Sequence, residues 1–263
     1  MSNVASAFRL LHERAELFAM PNPWDVGSAR LLESLGFPAL ATTSSGFAAS
    51  LGRLDQQVTR DELVAHVRAL TGAVSVPFNV DSEHCFPDDP GGVAETVRLL
   101  AEAGAAGCSI EDYDPAADAI VDAGLAAERV AEAAAAARET GIVLTARCEN
   151  YLHGVRELEP TLERLRAYRD AGADVVYAPG LVELEEIRQV VDDVGVPVNV
   201  LLLPAGPPIG ELASAGVRRV STGGALAAAA YGALIRAGRE LLDAGTSTYA
   251  RATADDYRAA FGA

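Results

Sequence analysis

The chain has 263 residues, half of them hydrophobic, and a formal net charge of −16 at pH 7. That length holds one sizeable core, and the acidic balance, with no basic stripe, excludes a protein that grips nucleic acid through its phosphates. Cys85, Cys108 and Cys148 are odd in number and lack CxxC spacing, which excludes a zinc ribbon or a disulfide framework and fits a reducing compartment. The opening residues lack the apolar centre of a signal peptide, and no run reaches transmembrane length. The expectation is a cytoplasmic protein with no membrane partner.

In chain order one unit recurs: a helical stretch ending in Gly, a short apolar run, and a stop at polar residues. The first apolar run covers 16–20, and further ones fall at 35–44, 74–81, 103–112, 140–147, 171–179, 194–200 and 215–221. Each is too short for a helix and suits a strand buried on both faces. Helical patterns fill 26–35, 60–71, 91–103, 125–139, 159–171, 183–193, 208–215 and 225–243. Eight strands alternating with helices predict a (β/α)8 TIM barrel forming one domain over 1–263. A doubly wound sheet is the main competitor, but Pro-Asn-Pro-Trp-Asp follows the first strand where that fold often has GxGxxG. The tail, 245–263, with a short helical pattern at 253–261, reads as an extension that packs on a neighbour.

Barrel enzymes carry their chemistry at the C-terminal ends of the strands, so what each run ends in matters. Strand two ends in Ser44-Ser45-Gly46, strand three in Asp81 and Glu83, and strand four in Glu111-Asp112. Strand five ends in Arg147, Glu149 and Asn150, strand seven carries Asn199, and strand eight ends in Ser221-Thr222-Gly223. Asp81 and Glu83 are two apart and share a side of an extended segment. Like charges this close raise each other's pKa or need a cation between them, for which Mg²⁺ with oxygen ligands is the simplest answer. The bland alternative is two solvated loop acids. Arg147 would fork onto a substrate carboxylate or pair structurally with Glu111 or Asp112. Ser45, Gly46 and Phe47 would offer backbone amides to the same anion. Asn199 is either a substrate contact or an interior bridge, and Asp55 either reaches a metal-bound water or caps a turn. Asp25 is an N-cap. Cys85 could act as a nucleophile with His84, although neighbours on an extended segment point apart.

The chain resembles the isocitrate lyase / phosphoenolpyruvate mutase superfamily over nearly its whole length. The matching motifs are Asn22-Pro23-Trp24-Asp25-Val26-Gly27-Ser28-Ala29-Arg30, Thr43-Ser44-Ser45-Gly46, Val80-Asp81-Ser82-Glu83, Ala103-Gly104-Ala105-Ala106-Gly107 with Ile110-Glu111-Asp112, Thr145-Ala146-Arg147-Cys148-Glu149 and Ala171-Gly172-Ala173-Asp174. The resemblance implies a Mg²⁺-dependent barrel, with Mn²⁺ as a substitute. Asp81 would ligate the metal, Glu83 and Glu111 would bind it through water, and Asp55 would lie close by. Ser45, Gly46 and Arg147 would hold a 2-oxo acid. It also implies C–C or P–C bond chemistry through a pyruvate enolate, and a homotetramer, a dimer of dimers that exchanges the last helix, for which 225–261 is available.

The departures are specific. The lyase members carry Lys-Lys/Arg-Cys-Gly-His in the loop after the strand-four acids; here the loop reads Tyr113-Asp114-Pro115-Ala116-Ala117-Asp118-Ala119-Ile120. The Lys-and-Asn loop of the mutase and phosphonopyruvate hydrolase members is also missing. His84-Cys85-Phe86 replaces a Gly-Tyr-Gly, and His84 would there supply a proton. The expectation is a lyase for a small 2-oxo or 2-hydroxy polycarboxylate, with oxaloacetate decarboxylation the plainest case. The alternatives are phosphonopyruvate or phosphoenolpyruvate chemistry and a non-catalytic 2-oxo acid binder.

Overall fold

The computed structural model describes residues 3–250, 258 and 260–262. Eight parallel strands form one sheet: β1 (Phe18–Met20), β2 (Leu40–Ala41), β3 (Phe78–Asp81), β4 (Gly107–Glu111), β5 (Val143–Arg147), β6 (Val175–Tyr177), β7 (Val198–Leu201) and β8 (Arg219–Ser221). Each strand from β2 to β8 pairs with the next, and β8 pairs with β1. Between β1 and β2 the Ala41 amide donates to the Pro21 carbonyl at 3.1 Å, so the sheet curls into a nearly closed (β/α)8 barrel, as the repeat predicts. The apolar runs are longer than the strands: 74–77, for instance, lies outside β3.

The closing seam is clasped by Asn22. Its Oδ1 accepts from the Thr222 and Gly223 amides at 2.8 and 3.0 Å, and its Nδ2 donates to the Thr42 carbonyl at 2.6 Å. One side chain thereby satisfies backbone groups that a missing ladder leaves unpaired. Gly36, Gly104, Gly141, Gly172, Gly195 and Gly216, which end the helical part of each recurring unit, all take positive φ. That left-handed turn releases the chain into the next strand.

Alternation along each strand sorts the residues. Val80, Cys108, Leu144, Ala146, Val176, Val200 and Val220 join the core between sheet and helices. The inward set is apolar at the N-terminal mouth and polar at the other. The apolar mouth is filled by α1 (Asn3–Glu13), a helix that the repeat pattern does not predict; its Phe8 and Leu11 pack with Phe18, Met20, Ala39, Ala41, Val143 and Val175. Gly107 makes room for this plug: a Cβ there would sit 2.8 Å from the Phe8 ring and 2.8 Å from the Val143 carbonyl oxygen.

Three further segments frame the polar mouth. α3 (Ser44–Ser50) follows β2 with Thr43 as N-cap. The loop after β4 is a hairpin, Tyr113–Asp114 against Ala119–Ile120. A 3-10 turn, Asn150–His153, follows β5, and Tyr113 stacks on His153 with centroids 4.1 Å apart. Asp25 caps α2 (Val26–Ser34) through a capping box with Ser28. The last long helix, α10 (Ala225–Ala244), buries only Ala227. The pattern at 253–261 lies mostly outside the described residues. Among the described residues, no helix is long and apolar enough to cross a membrane.

Candidate active site

One register row crosses five neighbouring strands: Glu111 pairs with Arg147, Arg147 with Tyr177, Tyr177 with Asn199, and Asn199 with Arg219. With Asp81 at the end of β3, the Arg147, Tyr177, Asn199 and Arg219 members of this row border a cavity of about 180 Å³, while Glu111 lines a separate small recess that Arg147 also borders. The cavity lining includes Ser45, Asp55, Asp81, Arg147, Tyr177 and Asn199.

Asp81 is held from two directions. Its Oδ1 accepts from Arg147 Nη1 at 2.6 Å, and its Oδ2 from the Ser44 amide at 3.1 Å. Arg147 is shared between three acids: Asp81, Glu111 through Nη2 at 3.2 Å, and Glu149 through Nε at 2.9 Å. It also lies over the Tyr177 ring, 5.4 Å from the centroid. Arg147 is the structural partner of Glu111 foreseen for it, and it also faces the cavity. Glu149, to which the sequence assigns no role, is its third anchor; an acid two residues after Arg147 is the signal that points to it.

The acids outnumber the cation. Burial pushes Glu83 up to about 8, helped by the charges of Asp81 and Asp55. Burial holds Glu111 well above the usual carboxylate range, and Glu149 and Asp81 add to this while Arg147 opposes it. Asp55, on the cavity rim, is raised by desolvation and by Asp81. Negative charge that one guanidinium cannot neutralise is the environment a hard divalent cation suits. The donor set is all carboxylate oxygen, which also fits Mg²⁺. Among the described residues, no three His, Cys, Asp or Glu side chains converge as a ready-made direct ligand set.

The pleat separates neighbours that the sequence cannot. Glu111 turns toward Arg147. Asp112 turns away, accepting from the Glu149 amide at 2.7 Å, Arg164 at 3.1 Å and the Tyr168 hydroxyl at 2.5 Å. Gln56, unremarked in the sequence, donates to Glu111 Oε1 at 2.7 Å from a left-handed backbone (φ 64°). Glu83 and Phe47 line a small recess beside Asp81 rather than the main cavity. Ser45 faces the cavity, whereas the Gly46 amide donates to Thr43 Oγ1 at 3.3 Å. Gly46 itself is tightly enclosed: a Cβ would lie 2.5 Å from Thr43 Cγ2. Asn199 is an interior bridge, donating to Ser221 Oγ at 3.0 Å, and it also lines the cavity.

His84 is not among the lining residues; it packs against Phe86 with centroids 5.4 Å apart. Cys85 is fully buried beside Ser82, and burial pushes its thiol up to about 12. A protonated, buried thiol is a poor nucleophile. Glu83, Cys85 and Phe86 all take positive φ, so this turn adopts a glycine-like path without glycine. The segment is therefore not extended, and the expectation for neighbouring His84 and Cys85 based on an extended chain does not describe it.

A family profile for phosphoenolpyruvate phosphomutase matches residues 8–242. The chain belongs to that family. A solved Burkholderia cenocepacia protein, provisionally described as a lyase/mutase, is 50% identical to this family member, with a TM-score of 0.93, covering 99% of this chain and 96% of its own. The 2-methylisocitrate lyase of Escherichia coli is 31% identical over 201 residues, 73% of this chain and 67% of its own. The oxaloacetate decarboxylase of Paraburkholderia xenovorans is 33% identical over 210 residues, 76% of this chain and 68% of its own. The superfamily expected from the six motifs is thus the one the whole chain matches, and it is a superfamily of enzymes.

Proposed function

We propose that this phosphoenolpyruvate phosphomutase family member is a Mg²⁺-dependent carbon–carbon lyase for a small 2-oxo or 2-hydroxy polycarboxylate, oxaloacetate decarboxylation being the plainest case. The observation that carries the reading is the set of acids around Arg147, too many for one guanidinium to neutralise, at the mouth of a small cavity. Asp81 would hold Mg²⁺ directly, with Glu83, Glu111 and Asp55 reaching it through water; Mn²⁺ would substitute. When bound, the cation supplies Lewis-acid polarisation of the substrate's oxygens.

The chain's own residues do the rest. Ser45, which faces the cavity from α3, orients the 2-oxo acid. Arg147, fixed by its three acids, adds a rigid positive charge where negative charge builds up on the substrate. Burial pushes Tyr177 up to about 12, so its phenol keeps its proton near neutral pH and can donate a hydrogen bond from the wall. The hairpin after β4 offers Tyr113, Asp114 and Asp118 but no Cys, Lys or His. Loss of CO₂ needs no proton delivered to the leaving group, so a hairpin without such a residue suits decarboxylation better than cleavage of a hydroxy acid. It also lacks the cation that a phosphonate would favour.

The test is ¹H NMR of the Mg²⁺-loaded protein with oxaloacetate, against a Mg²⁺-only blank and an Asp81→Ala variant. Pyruvate formed well above both controls is the expected result. Pyruvate at the blank rate would overturn the decarboxylase reading. Running methylisocitrate, dimethylmalate and phosphonopyruvate alongside, with ³¹P detection for the last, identifies a different member of the panel. We also propose a homo-oligomer assembled through α10, whose Leu234, Ile235, Leu241 and Leu242 are exposed.

A further inference from the structure

Two guanidinium groups line the cavity, and they are matched very differently. Arg147 meets three carboxylates. Arg219 is 1% exposed and meets none among the described residues. Its partners are all neutral: Nε donates to Asn199 Oδ1 at 2.8 Å, Nη2 to Thr145 Oγ1 at 2.9 Å, and Nη1 to His12 Nε2 at 3.2 Å. His12 donates from Nδ1 to the Phe8 carbonyl at 2.9 Å, which leaves Nε2 as an uncharged acceptor. These contacts use three of the five N–H bonds of the guanidinium. Burial holds this group below its ordinary value, at about 9.

A buried cation without a counter-charge is unfavourable. That cost is relieved when an anion with oxygen atoms enters and accepts from the free guanidinium N–H groups. Arg219 reaches His12 of the α1 plug, so its charge lies toward the inner end of the cavity, away from the acids at the mouth. About 180 Å³ is room for roughly six waters at about 30 Å³ each, or for one short dicarboxylate.

We propose that Arg219 forms a second carboxylate subsite at the inner end of the cavity, and that the substrate is a dicarboxylate whose distal carboxylate docks there. The proposal rests on the lyase reading for the placement of the 2-oxo end beside Ser45 and Asp81. A monocarboxylate of the same length leaves Arg219 bare, and discrimination follows from that uncompensated charge.

The test is calorimetric binding of unreactive probes to the Mg²⁺-loaded full chain. Succinate and butyrate share four carbons and differ by one carboxylate. Succinate is expected to bind about tenfold or more tighter than butyrate. Arg219→Gln should bring the two within roughly twofold while leaving butyrate unchanged, and Arg219→Lys should keep part of the preference. An unchanged succinate-to-butyrate ratio in Arg219→Gln overturns the proposal. Should that variant fail to fold, Thr145→Asp answers the same question, because it places a carboxylate against Nη2. It should abolish the preference and raise the Tm by neutralising the buried charge; a retained preference overturns the subsite. The probes need no turnover, so the two readings fail separately. A protein that prefers succinate through Arg219 but consumes no oxaloacetate keeps the subsite and loses the decarboxylase. One that turns over oxaloacetate with no such preference does the reverse.

Discussion

Asp81 carries more of the site than any other single acid: Arg147, the Ser44 amide and the expected metal all converge on it. Replacing it with Ala leaves Arg147 to Glu111 and Glu149, so the fold should persist while Mg²⁺ affinity is lost. We expect kcat/KM for oxaloacetate to fall by about 10³-fold or more, with an unchanged circular dichroism spectrum; titration calorimetry with Mg²⁺ reads the metal directly. His12 gives a second prediction. Burial, followed by the charge of Arg219, pushes it down to about 3 from an ordinary 6.5. A depressed folded-state value means that the unfolded chain binds the extra proton between those limits. Stability from this group is therefore complete above pH 6.5 and is lost as pH falls toward 3, at about 1.4 kcal/mol per pH unit. Urea melts across pH 3–7 should show a shallower acid slope in His12→Gln, whose amide can both donate to Phe8 and accept from Arg219.

At the scale of elements, the decisive contact is between α1 and the barrel floor. Phe8 is fully buried among inward-facing residues of β1, β2, β5 and β6, so Phe8→Ala should cost about 3–5 kcal/mol by opening a cavity. Gly107→Ala attacks the same contact from β4. Its methyl would meet the Phe8 ring and the Val143 carbonyl, neither of which yields readily, and a loss of about 1–3 kcal/mol is expected. Equilibrium denaturation in urea measures both. Either outcome near zero would mean that α1 is a loose cover rather than the floor of the barrel.

For the whole molecule, α10 is the element least explained by one chain. Its Leu242 is 85% exposed and Leu234 66% exposed, a surface that association would cover. Leu241→Glu combined with Leu242→Glu should shift the protein to a smaller species in light scattering after gel filtration, with the monomer fold retained. Chelation acts at the same scale. A ligand held by the folded barrel stabilises it by mass action, by about 2.7 kcal/mol at a hundred times its Kd. EDTA should therefore lower the Tm of the wild type and leave that of Asp81→Ala unmoved.

The sequence by itself determined the eight-strand repeat and pointed to the end of the sheet where the polar cavity lies. Those features are local: a helix stopped at a left-handed Gly, an apolar run of a few residues, and polar residues where the run ends. It also placed Asp81, Arg147 and Ser45 at strand ends and Asn199 within strand seven, and all four line the cavity. Tertiary structure decided which of two adjacent acids faces in, because the pleat sends Glu111 and Asp112 opposite ways. It also decided that Arg147 is shared three ways, that Asn22 clasps the open seam, and that α1 plugs the floor. Arg219 sits inside an ordinary apolar run; only closure of the barrel brings Asn199, Thr145 and His12 around it and, among the described residues, leaves every acid out of contact. Such pairings join residues 20, 74 and 207 positions apart, and no local pattern encodes a partner at that distance.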